Sequence, residues 1–157
     1  MADLLVKLYE LDRYRESCRV PAGIAVRTAM PYEASRVARW VTRRFGEKWA
    51  DEVRGCFARQ PVSCVLALAE ASLLGFACHD ATLRGFFGPV GVDPGARGRG
   101  VGRALTWAAL DGLRARGYGY AIIGAAGDIG FYVKGFGALP IPDSSPGPYV
   151  KAIDEDA

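Results

Sequence analysis

Apolar residues recur at helical spacing in the first third of the chain and predict two helices there. Between residues 34 and 45 they fall at i, i+3, i+4, i+7 and i+11, with charged residues on the other side, which is the pattern of an amphipathic helix. A second apolar stripe, over residues 49–57, predicts another helix that ends before Pro61. Residues 24–27 alternate in side-chain type and predict a strand, after which Pro31 suits the first turn of a helix.

Three apolar runs follow and predict three neighbouring antiparallel strands. Residues 63–69 and 73–79 are separated by a short Glu-Ala-Ser connection, which is typical of a hairpin. The third run extends from Phe86 to Val92. The predicted strand ends at an Asp-Pro-Gly sequence, because proline has no amide to donate to a neighbouring strand and glycine permits left-handed backbone geometry.

The rest of the sequence predicts a helix, a strand, a helix and a strand. An apolar stripe on residues 101–112 is expected to face the sheet, and Gly117 is expected to end that helix. Residues 118–124 predict a short buried strand, and Asp128 suits the N-cap of the helix that follows. Prolines break up the remainder, and we expect a last strand around residues 149–153.

This order of elements predicts the fold class. It is α+β, with a single mixed, largely antiparallel sheet of six to seven strands flanked by four helices in three αβα layers. The chain has 157 residues, the length of one domain, and we expect a single domain over residues 1–157. Residues 1–23 fit a strand or a short helix equally well, and we treat them as an N-terminal extension of uncertain structure.

Composition excludes several classes of protein and site. No apolar run approaches the roughly 18 residues of a membrane span, and the N-terminus lacks the features of a signal peptide, so we expect a soluble, cytoplasmic protein without a membrane partner. The four cysteines form no C-x-x-C pair and the chain has one histidine, so we expect no metal site and interpret the cysteines as buried thiols. The net charge of +3 is too small to indicate a nucleic-acid partner.

The candidate chemistry lies in the segment R-G-R-G-V-G-R, residues 97–103, between the predicted strand and helix. Amide groups at a helix N-terminus point outward beside the positive end of the helix dipole, and glycines let a phosphate approach them. No Gly-Lys-Ser/Thr ends the segment, so it is not a P-loop, and the glycine spacing departs from the dinucleotide fingerprint. The alternative is a surface turn rich in arginine and glycine that contacts nucleic acid.

The segment resembles the acyl-CoA pyrophosphate loop of the GNAT superfamily of N-acetyltransferases, in which Arg/Gln-x-x-Gly-x-Gly/Ala follows a V-x-P strand end. Arg97, Gly100 and Gly102 match its fixed positions, and the order of elements resembles the GNAT fold over residues 24–139. The resemblance implies acetyl-CoA as co-substrate, with its pantetheine arm between the strand at 86–92 and the next strand, which splay apart in this family. The cofactor-binding residues that it implies are Val90, Gly91, Val92, Arg97, Gly98, Arg99, Gly100, Val101, Gly102, Arg103 and Phe131.

The sequence Phe131-Tyr132-x-Lys134 resembles the F-Y-x-K segment of the same family, whose tyrosine protonates the leaving CoA thiolate. A phenol has a pKa near 10, so it stays protonated at neutral pH and can donate to a thiolate. The family usually reads F-Y-x-K-x-G-F, whereas Gly135 follows the lysine directly in this chain, which shifts the end of the helix by one residue.

A base is expected to remove a proton from the acceptor amine before it attacks the thioester. The predicted strand at 86–92 carries no carboxylate. Asp80, at the end of the preceding strand, is the first candidate for the base, and His79 and Asp128 follow.

The resemblance implies an acyltransferase that moves an acetyl group from acetyl-CoA to a primary amine of a small molecule or peptide. The expected mechanism is direct attack in a ternary complex, because no cysteine lies where a nucleophile is needed. The alternative is a non-catalytic acyl-CoA-binding or regulatory module of the same fold. A third hypothesis is a nucleic-acid binder that uses the Arg-Gly loop.

Helical periodicity also predicts an apolar patch. It places Trp107 and Leu110 beside Arg103 and Arg114, opposite the stripe that faces the sheet. An exposed apolar patch usually marks a contact surface. Either the leucines and valine of residues 4–8 or a second copy of the chain would cover it, and of these we favour a homodimer, since related proteins are often dimeric.

Overall fold

The computed structural model describes residues 1–157 and contains one seven-stranded sheet with helices on both faces. The strands lie in the order β2-β3-β4-β5-β6-β1-β7. Only β5 and β6 pair in parallel, so the sheet is mixed and largely antiparallel, and the predicted fold class is confirmed. The strands are β1 (Leu4–Lys7), β2 (Ala25–Thr28), β3 (Cys64–Ala69), β4 (Ser72–His79), β5 (Phe86–Val92), β6 (Tyr120–Ile123) and β7 (Leu139–Pro140).

Four α-helices flank the sheet, as the apolar spacing predicts. They are α1 (Ala34–Phe45), α2 (Glu47–Phe57), α3 (Val101–Ala115) and α4 (Ile129–Phe136). Four short 3-10 turns complete the structure, at Leu8–Tyr14, Glu16–Cys18, Pro31–Glu33 and Pro94–Ala96.

The strands of the sheet present alternate residues to two separate cores. In β3, Cys64 and Leu66 pack with α1 and α2, whereas Val65 and Ala67 pack with α3 and α4. This follows from the two-residue period of a strand, which sends successive side chains to opposite faces. The molecule therefore has three layers, with the sheet in the middle.

Glycine in β5 allows α1 to pack closely on the sheet. A Cβ atom on Gly91 would lie 2.6 Å from the ring of Phe45, so a larger residue would push the helix away. Phe45 also stacks on Trp49 of α2, with 5.3 Å between the ring centroids. The end of α1 is therefore held directly above the strand that leads into the glycine-rich loop.

The first residues of the chain are part of the sheet rather than an extension of it. Strand β1 pairs with β6 on one side and with β7 on the other, so it is an interior strand. The 3-10 turn at Leu8–Tyr14 then packs on α3 and α4. Leu4, Val6, Leu8 and Leu11 are at most 1% exposed.

The same segment covers the apolar residues of α3, so the predicted patch is not exposed. Leu110 is fully buried, and the indole Nε1 of Trp107 donates to the carbonyl oxygen of Leu11 at 3.3 Å. The guanidinium of Arg15 lies 5.1 Å from the centroid of the Trp107 ring. The cover comes from the same chain, and the argument for a homodimer, which rested on this patch, has no support in the structure.

The strand predicted at residues 149–153 is wrong, because the last strand is the two-residue β7. The chain beyond it is held by contacts with the N-terminus instead. The amide of Ile141 donates to the carbonyl of Asp3 at 2.9 Å, and the amide of Asp3 donates to Ser144 Oγ at 2.9 Å. Pro142, Pro146 and Pro148 supply no amide donors, and therefore this stretch is poorly suited to a ladder.

All four cysteines are buried and unpaired, as the sequence predicts. Cys64 and Cys78 lie opposite each other in β3 and β4, and Cys56 of α2 packs in the same core. None of the helices has the length and apolar character needed to cross a membrane.

His79 joins β4 to the middle of α3. A Cβ atom on Gly112 would lie 2.5 Å from His79 Nε2, so the glycine makes room for the imidazole ring. The ring is buried and its Nδ1 atom has no hydrogen-bond partner. Burial lowers the pKa of His79 to about 4, and the positive charge of Arg116 acts in the same direction, against the negative charge of Asp80. The imidazole is therefore neutral in the folded protein at pH 7.

Replacing Leu11 with alanine should destabilise the fold by about 2–5 kcal/mol, because it leaves a cavity between the N-terminal turn and α3. Urea unfolding measures this directly. Val20→Ala is the control, since Val20 is 46% exposed and its truncation should cost less than about 0.5 kcal/mol. If the two variants are equally stable, the N-terminal turn does not contribute to the core.

The stability of the protein should fall as the pH drops from about 6.5 to about 4. The folded-state pKa of His79 lies below its ordinary value, so the unfolded chain takes up a proton first and unfolding is favoured by up to about 3 kcal/mol in this window. Carboxylates with a lowered pKa, such as Glu33, also lose stabilising contacts near pH 4, so the share of His79 is the difference between the wild type and a His79 variant. Urea unfolding across this range should show the loss in the wild type and a smaller loss in His79→Gln. Parallel curves for the two proteins would contradict a buried neutral imidazole.

Candidate functional site

The glycine-rich segment forms an open cleft of about 330 Å³ between the end of β5 and the start of α3. We call it the glycine-loop cleft. Phe131 of α4 also lines it, so the cleft combines one continuous stretch, residues 92–103, with a residue from a later helix. Its lining consists of Val92, Ala96, Arg97, Gly98, Gly100, Val101, Gly102, Arg103 and Phe131.

The backbone of this loop presents a row of free donors. Gly98 and Gly100 have φ angles of 74° and 86°, which favour glycine, and Gly100 directly precedes the first turn of α3 without a side-chain cap. The first hydrogen bond of the helix runs from the amide of Ala104 to the carbonyl of Gly100 at 3.1 Å. The amides of residues 98–103 donate to no acceptor within the protein. They lie at the positive end of the helix dipole and suit an anion.

The arginines of the loop carry positive charge that no carboxylate neutralises. Arg97, Arg99 and Arg103 form no salt bridge, although Arg97 Nε donates to the carbonyl of Val92 at 3.2 Å. The nearby carboxylate of Asp93 is occupied by Arg44, whose Nε lies 2.6 Å from Oδ2, and this contact lowers the pKa of Asp93. The loop is therefore electropositive, and forked guanidinium donors add to its amides.

Strands β5 and β6 separate beside the cleft. They pair only at Phe86 with Ile122 and at Phe87 with Ile123, so residues 88–92 of β5 have no strand partner on that side. Val90 and Val92 are half-buried, whereas Gly91 is buried beneath Phe45. The resulting fork opens toward the glycine-rich loop.

Tyr132 stands at the closed end of this fork. Its ring packs edge-on against Phe87, at 6.0 Å between centroids, and against Phe131 at 5.0 Å. The hydroxyl makes no hydrogen bond within the protein. Burial raises the pKa of Tyr132 to about 12, with a smaller contribution from the negative charge of Asp128. The phenol therefore keeps its proton at any physiological pH.

Helix α4 keeps its geometry in spite of the one-residue shift after Lys134. Asp128 caps its start, where Oδ1 accepts a hydrogen bond from the amide of Phe131 at 3.0 Å. The helix continues through the buried Gly135 to Phe136. Gly137 ends it with a φ angle of 65°, beneath the hydroxyl of Tyr14.

The structure does not bring Asp80 together with Tyr132, and neither residue lines the glycine-loop cleft. Asp80 is 3% exposed and lines a different pocket, at the other end of α3. Its Oδ1 accepts from the amide of Gly85 at 2.6 Å, and its Oδ2 lies 3.1 Å from Arg116 Nη1. Both carboxylate oxygens therefore stabilise the turn between β4 and β5, so the role of Asp80 is structural.

The other two candidate bases also make structural contacts. His79 is packed against α3, and Asp128 caps α4. None of the three candidates lines the glycine-loop cleft.

Two features of the cleft have no signal in the sequence. Ala96 contributes to the lining, and Pro21 from the N-terminal segment stands beside the loop, 3.6 Å from where a Cβ atom on Gly100 would lie. Conversely, Val90, Gly91 and Arg99 do not line the cleft. The two β5 residues lie along the fork, and the side chain of Arg99 is exposed to solvent.

A curated relative is similar in sequence over much of the chain. It is a mycothiol acetyltransferase from Rhodococcus erythropolis, 32% identical over an alignment that covers 69% of this chain and 43% of that protein. The chain spans less than half the length of the curated relatives that it matches.

Two solved structures share the fold. A GCN5-related N-acetyltransferase from Sphaerobacter thermophilus superposes with a TM-score of 0.65 at 19% identity, over 89% of this chain and 48% of that one. A GNAT family acetyltransferase from Brucella melitensis, solved in complex with acetyl-CoA, superposes with a TM-score of 0.57 at 21% identity, over 83% and 93% of the two chains.

The family model described as "Acetyltransferase (GNAT) family" matches residues 31–138, which begin at the turn before α1 and end just before β7. This range includes β5, the glycine-rich loop, α3 and α4, and therefore every element that forms the cleft and the fork. The chain belongs to the acetyltransferase (GNAT) family.

Proposed function

We propose that the protein transfers an acetyl group from acetyl-CoA to a primary amine of a small molecule. The observation that carries this proposal is the row of free amides at residues 98–103, beside unneutralised arginines and at the mouth of an open strand fork. Membership of the acetyltransferase family supports acetyl transfer. The name of the curated relative supports a small-molecule acceptor.

In this proposal the loop binds the diphosphate of the cofactor. Free amides and the helix dipole suit an anion, and Arg97 and Arg103 supply further donors from the cleft wall. The pantetheine arm then lies in the fork beside residues 88–92, whose backbone has no partner strand on that side. Its amide groups would satisfy backbone donors and acceptors there, and the thioester would reach the closed end of the fork, near Tyr132.

The reaction proceeds by direct attack. The neutral amine nitrogen forms a bond to the thioester carbonyl carbon, and the carbon–sulfur bond breaks from the tetrahedral intermediate. The CoA thiolate takes a proton from the Tyr132 hydroxyl, and the phenolate regains one from the protonated product nitrogen through solvent. A covalent acyl-enzyme plays no part, since all four cysteines are buried and none lines the cleft.

Tyr132 suits the donor role because its environment disfavours charge. Burial raises the pKa of the phenol to about 12, and the same apolar surroundings of Phe87 and Phe131 would destabilise a thiolate beside it. Asp80, His79 and Asp128 do not act as the base that removes a proton from the acceptor amine, because each makes a structural contact outside the cleft. The amine is expected to lose its proton to solvent.

The lack of a free base in the cleft is the observation that favours the alternative, a non-catalytic acyl-CoA-binding module. A screen of amino sugars, amino acids, polyamines and peptides for thiol release from acetyl-CoA separates the two. Amine-dependent release supports the enzyme. Micromolar binding of acetyl-CoA with no release from any amine supports the binding module.

Replacing Gly102 with valine should weaken CoA binding by tenfold or more. The position has ordinary backbone geometry and room for a Cβ atom, which would lie 3.7 Å from Val92, so the side chain blocks the phosphate without straining the fold. Gly127→Val is the control, because no atom lies within 4 Å of its Cβ position. Calorimetry with CoA gives the affinities, and equal values for the two variants would mean that the phosphates bind elsewhere.

Replacing Tyr132 with phenylalanine should lower the turnover number on the order of 10²-fold and leave acetyl-CoA affinity nearly unchanged, because only a proton donor is lost. Tyr120→Phe is the matched control, since Tyr120 is half exposed at the start of β6. With a pKa of about 12, the phenol should produce no falling limb in the wild-type rate below about pH 10. If the chemical step is rate-limiting and Tyr132→Phe keeps the full turnover number, Tyr132 contributes to packing and is not the proton donor.

A further inference from the structure

A second pocket, of about 230 Å³, lies at the opposite end of α3 from the glycine-loop cleft. It is formed by the turn between β4 and β5 together with the residues that follow α2 and α3. We call it the arginine pocket; its lining is Arg59, Asp80, Arg84, Arg116 and Tyr118. Helix α3 has 15 residues, so its two ends are about 22 Å apart. A phosphate held by the amides at one end cannot contact the arginines at the other.

The single carboxylate of the arginine pocket is already used. Asp80 pairs with Arg116, and its other oxygen accepts from the amide of Gly85. Arg116 also donates to the carbonyl of Pro61 through Nη2. The side chains of Arg59 and Arg84 take part in no salt bridge and no hydrogen bond within the protein. One guanidinium is thus compensated, and two positive charges remain facing the pocket.

Two further features indicate a ligand rather than simple helix capping. Arg59 and Arg116 follow the C-terminal ends of α2 and α3, where cations are favourable, but Arg84 lies in a turn and belongs to no helix. The Nε atom of Arg59 is sealed from solvent without an acceptor, and a buried donor is costly unless something accepts its hydrogen bond.

We propose that the arginine pocket binds a phosphate group, as inorganic phosphate or as a small phosphate monoester. The two uncompensated guanidinium groups match the charge of a phosphate dianion, and their forked donors match its oxygens. The volume exceeds that of a bare phosphate and leaves room for a small organic substituent. Tyr118 forms a wall fixed against the turn, with ring carbons 3.4 and 3.6 Å from where a Cβ atom on Gly85 would lie.

The test is a titration with inorganic phosphate at constant ionic strength, followed by backbone amide NMR, without CoA and with CoA at saturation. The amides of Arg84, Gly85 and Tyr118 should shift saturably in both series. Residues 98–103 should respond to phosphate only without CoA. The two sites are thus read separately: if the loop fails to bind CoA, the proposed function fails while the arginine pocket is still tested. A third series measures the affinity of the arginine pocket for methyl phosphate. Tighter binding of methyl phosphate than of inorganic phosphate indicates a phosphate monoester as the ligand, and the reverse order indicates the free ion.

Replacing Arg84 with glutamine should weaken phosphate binding at the arginine pocket about tenfold, since it removes one charged donor from an exposed turn. Arg39→Gln is the matched control, because Arg39 is exposed on α1, has no partner and makes the same change in net charge. Arg59→Lys keeps the charge but removes the forked donor and should also weaken binding. The proposal is overturned by the lack of a saturable shift at the three amides up to about 20 mM phosphate, or by equal binding in the Arg84 and Arg39 variants.

Discussion

The parting of β5 from β6 is the constraint on which the rest of the structure depends. Two residue pairs hold the strands together, at Phe86 and Phe87, and beyond them one edge of β5 has no strand to pair with. Backbone groups in the middle of a sheet need partners, so an opening of this kind suits a ligand that carries amides of its own. Helix α3 follows β5 in the chain, after the glycine-rich loop. Its free amides lie at the mouth of the fork, and Tyr132 stands at its closed end.

The N-terminal segment stabilises this partly opened sheet. Strand β1 enters between β6 and β7, so β6 gains an antiparallel partner on the side away from the fork. The turn that follows buries Leu8 and Leu11 on α3 and covers Trp107, which otherwise would meet water. One segment therefore stabilises both the strand and the helix that bound the candidate site, and it also brings Pro21 beside the glycine-rich loop.

Helix α3 organises charge at both of its ends. At its N-terminus, free amides and the arginines of the loop face an open cleft. At its C-terminus, Arg116 holds the buried carboxylate of Asp80, which in turn fixes the turn that leads into β5. Between the ends, Gly112 admits the neutral ring of His79. The carboxylate of Asp80 and the ring of His79 beside this helix thus have structural roles, whereas the free amides and unpaired arginines lie at the two pockets.

The sequence by itself determined the order of helices and strands from β2 to α4, the fold class and the position of the glycine-rich loop, because these depend on local signals. Apolar spacing specifies α1, α2 and α3, and the glycines at 98, 100 and 102 indicate a loop whose backbone amides are accessible. The family resemblance extended the prediction to the fork and to Tyr132.

Tertiary structure alone decided the rest. Residues 4–7 have no local preference that distinguishes a strand from a helix, and only β6 and β7 make them an interior strand. The predicted patch at Trp107 and Leu110 disappeared for the same reason, since periodicity gives the face of a helix but not what covers it. Asp80 was a plausible base by its position in the sequence, yet Gly85 and Arg116 bind both of its carboxylate oxygens. Gly85 lies in the turn between β4 and β5, and Arg116 follows a helix that is distant in sequence, so only the folded chain brings these partners to Asp80.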